Sequence, residues 1–194
     1  MSFLLSLARL IDTINEKIGN GVSWALLLSV LICTGNAVVR YTINASSNAW
    51  LEIQWYLFAA MFLLATSQTL RRNEHVRIDV IAGRFSKRTQ VWIDVIGFLL
   101  FLLPISIIIL YYAVPYALLS FQSHEVSSNA GGLVVWPAKA LIPIGFLLLT
   151  LQGISELIKR IGYLLGKVDA REFEKQAATP EEEIEAIKAA NKLN

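Results

Sequence analysis

Four long stretches almost without charged residues set the strongest limit on how this chain can fold. They cover residues 21–39, 53–70, 95–121 and 133–158. Only the last contains charges, Lys139 near its start and Glu156 near its end. A helix that crosses a bilayer needs about 20 mostly apolar residues, and it satisfies its backbone polar groups within one segment. The sequence therefore predicts an all-α integral membrane protein whose four transmembrane helices form a domain over residues 21–160.

The composition supports this class and excludes several others. Hydrophobic residues make up 55% of the 194 residues and charged residues 16%, against roughly 45–50% and 25% in soluble domains. A single cysteine excludes an internal disulfide and a Cys-ligated metal cluster, and two histidines exclude most metal and haem sites. A net charge of +2 gives no sign of nucleic-acid binding. No nucleophile and base are predicted to share a face, so the sequence predicts no enzyme activity.

Two segments flank the predicted membrane domain. Residues 1–20 predict an amphipathic helix lying in the membrane interface; the alternative is that this segment extends the first span. Its apolar residues recur at helical spacing, at Phe3, Leu4, Leu7, Leu10, Ile11, Ile14 and Ile18. Residues 161–194 predict a cytoplasmic helical tail that is solvated rather than docked.

The distribution of Lys and Arg predicts the orientation. Two basic residues lie near the N-terminus, six lie between the second and third spans, and five follow the fourth span. The opposite side has Arg40 and, just inside the span, Lys139. Because basic residues concentrate on the cytoplasmic side, we expect both termini and the middle loop in the cytoplasm.

Polar residues inside the spans are few. Pro104 and Pro115 predict a kink or tilt in the third span, or an end that projects into water. The midspan polar residues Asn36, Thr66, Ser67 and Gln68 are predicted to form hydrogen bonds between helices. The charges near spans all lie near helix ends: Arg40, Glu52, Asp94, Lys139 and Glu156. Since transport pathways usually place ionisable residues deep in the bilayer, this pattern favours a scaffold.

Two other functions remain open from the residues alone. A self-contained channel or homo-oligomeric transporter would need its pathway charges at subunit boundaries, from Glu52 or Lys139. A small membrane enzyme would need a set of catalytic groups that the sequence does not provide. His75 and Asp79 are four residues apart and fit one helical face, but two ligands are too few for a metal site.

A set of motifs resembles a known family. Arg40 follows the first span, Trp50-Leu51-Glu52 opens the second, and Arg71-Arg72-Asn73-Glu74-His75-Val76-Arg77-Ile78-Asp79 follows it. This order resembles the small membrane subunit (DctQ-type) of tripartite ATP-independent periplasmic (TRAP) transporters, over roughly residues 20–160. The segments 131–141 and 152–157 resemble the longer variety of that subunit. A glycine often found midway along the second span is absent, and Ala59, Ala60 and Ala65 are the small residues there.

The resemblance implies a complex. A large multi-span membrane subunit (DctM-type) would carry substrate and sodium by an elevator-like movement. A periplasmic binding protein would deliver the substrate, commonly an organic acid. The small subunit would anchor the large one and bind neither substrate nor cofactor, and sodium coupling is expected in the large partner. Candidate residues for helix or subunit interfaces are Arg40, Glu52, Arg72, His75, Asp79 and Lys139.

Arg40 and Glu52 are the most specific of these candidates. They lie 12 residues apart at the predicted outer boundary, joined by a polar turn. We expect them to pair with each other or with a charge on the large subunit. The alternative is two independent interfacial charges exposed to water.

Overall fold

The computed structural model describes residues 2–45, 47–73, 85–169 and 173. Five helices and one π-helical turn account for most of this part of the chain. They are α1 (Ser2–Ile43), α2 (Asn48–Arg71), α3 (Lys87–Gly97), the π-helical turn Phe98–Leu102, α4 (Leu103–Gln122) and α5 (Trp136–Leu164). Counting Lys87–Gln122 as one continuous span, four helices are long and apolar enough to cross a membrane. This confirms the prediction of an all-α protein with four spans.

The third span contains the irregularity that its prolines predict. Pro104 has no N–H and its ring displaces the carbonyl of the residue four positions earlier, so the regular hydrogen-bond ladder cannot continue past it. The chain responds with a π-helical turn over Phe98–Leu102, which ends in a bond from the Leu103 N–H to the Phe98 carbonyl. A π-helical turn of this kind re-aims the helix without ending it.

Tight turns with left-handed backbone end the helices. Asn44, Asn73 and His124 have φ values of 56°, 54° and 48°, and Gly166 has 70°. After α4 and α5 the next amides bond back to carbonyls of the last turn, which is the Schellman arrangement. His124 therefore has a structural position, at the end of α4.

The N-terminal segment is not separated from the first span, because α1 runs without a break for 42 residues, about 63 Å at 1.5 Å per residue. Its first half buries a small and polar face, with Ala8 and Asn15 each 1% exposed. The opposite face is apolar and exposed: Phe3, Leu7, Leu10 and Ile14. Ile11 is buried as well, so the buried side of this half holds both polar and apolar residues, and the amphipathic interfacial helix stays a prediction.

Helix α5 is the centre of the bundle. Helices α1 and α2 pack against each other and both pack against α5, and α3 and α4 also pack against α5. A Cβ on Gly145 of α5 would lie 2.9 Å from the Leu63 carbonyl oxygen of α2, so only glycine permits this approach. The second span lacks the glycine that the family often has midway along it, and the close contact between α2 and α5 is made through Gly145 of α5 instead.

The polarity of the bundle is the reverse of that in a soluble protein. The large apolar side chains of α1, α3 and α4 are widely exposed, whereas the largest fully buried side chains are Arg160, Gln152, Glu156 and Asn15. A compact apolar core lies beside them, formed by Leu70, Val91, Val95, Phe98, Leu157 and Phe173. An apolar exterior around a polar interior is the arrangement expected where the surrounding solvent is lipid.

Candidate functional site: two polar clusters

Glu52 lies at the centre of the first of two polar clusters, near one end of the bundle. The residue is 4% exposed. Its Oε1 accepts hydrogen bonds from Ser127 Oγ and, at 2.9 Å, from Asn129 Nδ2. Its Oε2 accepts one from the Leu133 backbone N–H at 2.6 Å. We call Glu52, Ser127, Asn129 and Leu133 the loop-anchor cluster, because together they fasten the α4–α5 loop to the start of α2.

Other contacts hold the same loop. Asn48 Nδ2 donates to the Ala130 carbonyl at 2.9 Å, and the Tyr56 hydroxyl donates to the Val134 carbonyl at 3.0 Å. A Cβ on Gly132 would lie 2.8 Å from Glu52 Oε1, so this position needs glycine for the carboxylate to approach. The loop is therefore built around the carboxylate of α2.

Lys139 ties the loop to the start of α5. Its Nζ lies 2.5 Å from Glu125 Oε2 and 4.2 Å from the centre of the Tyr116 ring. The hydrogen bond from Lys139 lowers the pKa of the Glu125 carboxyl below its usual range. The cation is thus neutralised by the loop carboxylate and packed on an aromatic ring.

The structure separates the other residues expected at interfaces. Arg40 is exposed near the end of α1, and within the described part of the chain Glu52 takes its partners from the loop instead. The expected Arg40–Glu52 contact is not formed, and pairing of Arg40 with a large subunit stays a prediction. Arg72 donates to Asn20 Oδ1 at 3.3 Å, joining α2 to α1. His75 and Asp79 lie outside the described residues.

The second cluster consists of ion pairs near the opposite ends of the helices. We call Asp12, Arg71, Asp94, Glu156, Lys159 and Arg160 the ion-pair cluster. Glu156 forms short contacts with both Lys159 and Arg160. Lys159 Nζ also lies 3.0 Å from Asp12 Oδ2, and Arg160 Nε lies 3.1 Å from Asp94 Oδ2. Arg71 Nε lies 4.0 Å from Asp12 Oδ2, and its Nη1 lies 2.7 Å from Oε2 of Glu16. Each acid of the ion-pair cluster therefore has a basic partner, and the pairs join α1, α2, α3 and α5.

Hydrogen bonds around Asp12 hold α1 to α5. Ser155 Oγ lies 2.8 Å from Asp12 Oδ1 and 3.2 Å from the Ala8 carbonyl. Gln152 Nε2 donates to Asp12 Oδ1 at 2.8 Å, and its Oε1 accepts from Asn15 Nδ2 at 2.6 Å. Polar contacts therefore fasten the first half of α1 to α5, beside the buried apolar residues Ala8 and Ile11.

Aromatic rings cover the guanidinium of Arg160. Its carbon Cζ lies 4.7 Å from the Phe98 ring centre and 5.1 Å from that of Phe173. Phe173 is 5% exposed and meets the Tyr163 ring edge to face. Phe173 of the predicted solvated tail therefore belongs to the apolar core, and Tyr163 and Leu164 pack against it. The tail beyond Phe173 lies outside the described residues.

From the sequence, Asp94 and Glu156 are predicted near helix ends, and no pattern predicts that they meet the other members of the ion-pair cluster. The missed signal is the polar face of α5, where Gln152, Glu156 and Lys159 recur at helical spacing. The midspan prediction holds for Gln68, whose Nε2 donates to Asn20 Oδ1 at 2.7 Å. It is wrong for Thr66 and Ser67, because each hydroxyl donates to a carbonyl of its own helix.

The spacing of two lysines on α5 matches the thickness of a membrane. Lys139, which pairs with the loop acid Glu125, and Lys159 of the ion-pair cluster are separated by 20 residues, about 30 Å of helix, and the hydrocarbon core of a bilayer is about 30 Å thick. Within the described part of the chain, no three His, Cys, Asp or Glu side chains are grouped to hold a metal ion. The arrangement can fasten helices to one another at both membrane surfaces, and it defines a four-helix, multi-pass membrane protein.

A comparison with protein families gives the particular family. Residues 29–162 match the family described as "Tripartite ATP-independent periplasmic transporters, DctQ component". The match spans the bundle from the middle of α1 to the end of α5, and the chain belongs to this family, which is a transporter component rather than an enzyme family. No match was found among curated proteins.

Proposed function

We propose that this protein is the scaffold subunit of a TRAP transporter and holds a large DctM-type membrane subunit in place. The family match over the four-helix core carries the proposal. The large subunit would perform sodium-coupled secondary uptake of an organic acid or similar solute by an elevator-type movement. A periplasmic binding protein would deliver that solute, and this chain would need no cofactor of its own.

The two polar clusters support a structural role. An elevator-type subunit moves against a part of the complex that stays fixed, so its support has to be rigid. Here each acid of the ion-pair cluster has a basic partner within hydrogen-bond distance, and removing one partner of a buried pair costs roughly 3–5 kcal/mol. Paired charges at a helix end suit a fixed frame better than an ion pathway, which needs weakly held ionisable groups.

The proposed orientation places the ion-pair cluster at the cytoplasmic surface of the bacterial inner membrane. The segments with two, six and five basic residues all adjoin that end of the bundle, as the positive-inside rule requires. The loop-anchor cluster then faces the periplasm, where the binding protein acts.

Reconstitution tests the function. The purified chain, a large DctM-type subunit from the same organism, and both together are placed in liposomes with the matching binding protein and a sodium gradient. We expect uptake only when both membrane subunits are present, with the lone chain equal to empty liposomes. Substrate or sodium flux through the lone chain would contradict the scaffold role and favour a self-contained transporter.

A further inference from the structure

The chain turns back on itself after α5 and meets the bundle again at Phe173. Gly166 has a left-handed φ of 70°, and the Lys167 N–H donates to the Gly162 carbonyl at 2.9 Å, which ends the helix and reverses the chain. A continued helix would place residue 173 about 15 Å beyond residue 163. Instead the rings of Tyr163 and Phe173 lie 5.5 Å apart, edge to face. The reversal therefore lays this tail residue beside the last turns of α5.

The Phe173 ring completes the core between two helices that do not pack on each other. Both α2 and α3 pack against α5, but within the described residues they are not a packed pair themselves. The apolar core bridges them with residues from α2, α3, the π-helical turn, α5 and the tail: Leu70, Val91, Val95, Phe98, Leu157 and Phe173. Phe173 is also the only aromatic residue that follows Tyr163 in the sequence. A single ring of the tail therefore contributes to holding α3 in the bundle.

The same ring covers the ion pair that joins α3 to α5. Arg160 Nε of α5 lies 3.1 Å from Asp94 Oδ2 of α3. The ring centres of Phe98 and Phe173 lie 4.7 and 5.1 Å from the guanidinium carbon, and of these two rings only Phe98 belongs to the third span. The Asp94 side chain keeps 21% of its surface exposed, so water reaches the edge of the pair. Because an ion pair strengthens as water is excluded, the docked Phe173 ring tightens the contact between α3 and α5.

We propose that Phe173 is a latch for the third span. With the ring docked, α3 is held against α5 by the covered Arg160–Asp94 pair and by the completed core. With the ring released, water reaches the guanidinium and α3 moves relative to α5, while α1 and α2 stay packed on α5. The latch would set how rigid the frame is at the ion-pair end of the bundle, a consequence that rests on the proposed scaffold function.

Distances between spin labels test the latch in the intact chain. The labels are attached through Arg88→Cys on α3 and Ile161→Cys on α5, both at exposed positions, in a Cys33→Ser background. We expect one narrow distance distribution when Phe173 is present. Phe173→Ala should broaden the distribution by about 4 Å, the layer that one ring occupies, with unchanged helix content by circular dichroism. Phe173→Leu keeps an apolar side chain but loses the ring beside Arg160, so it should broaden the distribution less.

The matched control is Leu165→Ala, because Leu165 also follows α5 but is 61% exposed, and it should leave the distribution unchanged. A narrow distribution in Phe173→Ala, or equal broadening in Leu165→Ala, would refute the latch. Loss of helix content in both Phe173 variants would make Phe173 an ordinary core residue and overturn the proposal. If only Phe173→Ala fails to fold, Phe173→Leu decides: a broadened distribution supports the latch, and an unchanged one refutes it.

Discussion

Replacing Glu52 with alanine should release the α4–α5 loop while leaving the helix bundle assembled. The carboxylate accepts three hydrogen bonds, from Ser127, Asn129 and the Leu133 N–H. Hydrogen bonds to charged groups contribute about 1.5–3 kcal/mol each. Asn129 is exposed and can bond water instead, so two bonds count fully. We therefore expect the free energy of unfolding to fall by about 3–6 kcal/mol.

Two further variants show which property of Glu52 stabilises the fold. One removes the negative charge but keeps an acceptor oxygen, and the other removes a different, exposed acid. Glu52→Gln keeps the side-chain size and one acceptor oxygen, but its amide N–H₂ faces a donor, so it should lose about 1–3 kcal/mol. Glu16→Ala is the control for loss of an acid, because Glu16 pairs with Arg71 but its side chain is 43% exposed, and exposed pairs contribute about 0–1 kcal/mol.

The assay has a local and a global readout. Thermal unfolding in detergent reports global stability, and limited proteolysis between residues 127 and 132 reports release of the loop. Uptake per assembled complex is measured alongside total uptake, and we expect total uptake to fall through loss of assembled transporter. If Glu52→Ala unfolds at the wild-type temperature and its loop is cleaved at the wild-type rate, the anchoring role is refuted. Normal assembly with a collapse in substrate affinity would instead place Glu52 in the transport path.

Three more perturbations test the bundle. Asp12→Ala leaves Lys159 without one of its two acidic partners and should lower the free energy of unfolding by about 3–5 kcal/mol, and Asp12→Asn should lower it less. Unfolding of Asp12→Ala at the wild-type temperature would refute the role of Asp12 in holding α1 to α5. In Gly145→Ala the new Cβ meets the backbone of α2, so the free energy of unfolding should fall by about 1–3 kcal/mol. In the control Gly35→Ala the Cβ meets no atom within 4 Å, so stability should be unchanged or higher. Equal melting temperatures of the two variants would contradict the close approach of α2 and α5 at Gly145. Glu125 has a lowered pKa, so its pairing with Lys139 stabilises the fold above the carboxyl's ordinary pKa and is lost as pH falls through the lowered value. Wild type should therefore exceed Glu125→Gln in melting temperature at neutral pH and converge with it on acidification, and a gap that persists in acid would contradict the ion pair.

The sequence by itself determined the four spans and the family. Each span depends on one local property, a run of apolar residues long enough to cross the bilayer, and such runs are visible without knowing which helices touch. Pro104 likewise predicts an irregular third span, because a missing N–H acts on its own helix. Glu52 stood out for a similar reason, as an acid placed just before an apolar run.

Only the tertiary structure decided which polar groups meet. Asp12 and Lys159 are 147 residues apart in the chain, and no local pattern pairs them. The same holds for Glu52, whose partners come from a loop 75 to 81 residues away rather than from the nearer Arg40. Hydrophobicity acts on each helix separately, whereas a buried charge is stabilised by whichever partner the packing brings within about 3 Å. The rotation and depth of the helices therefore fixed the two clusters.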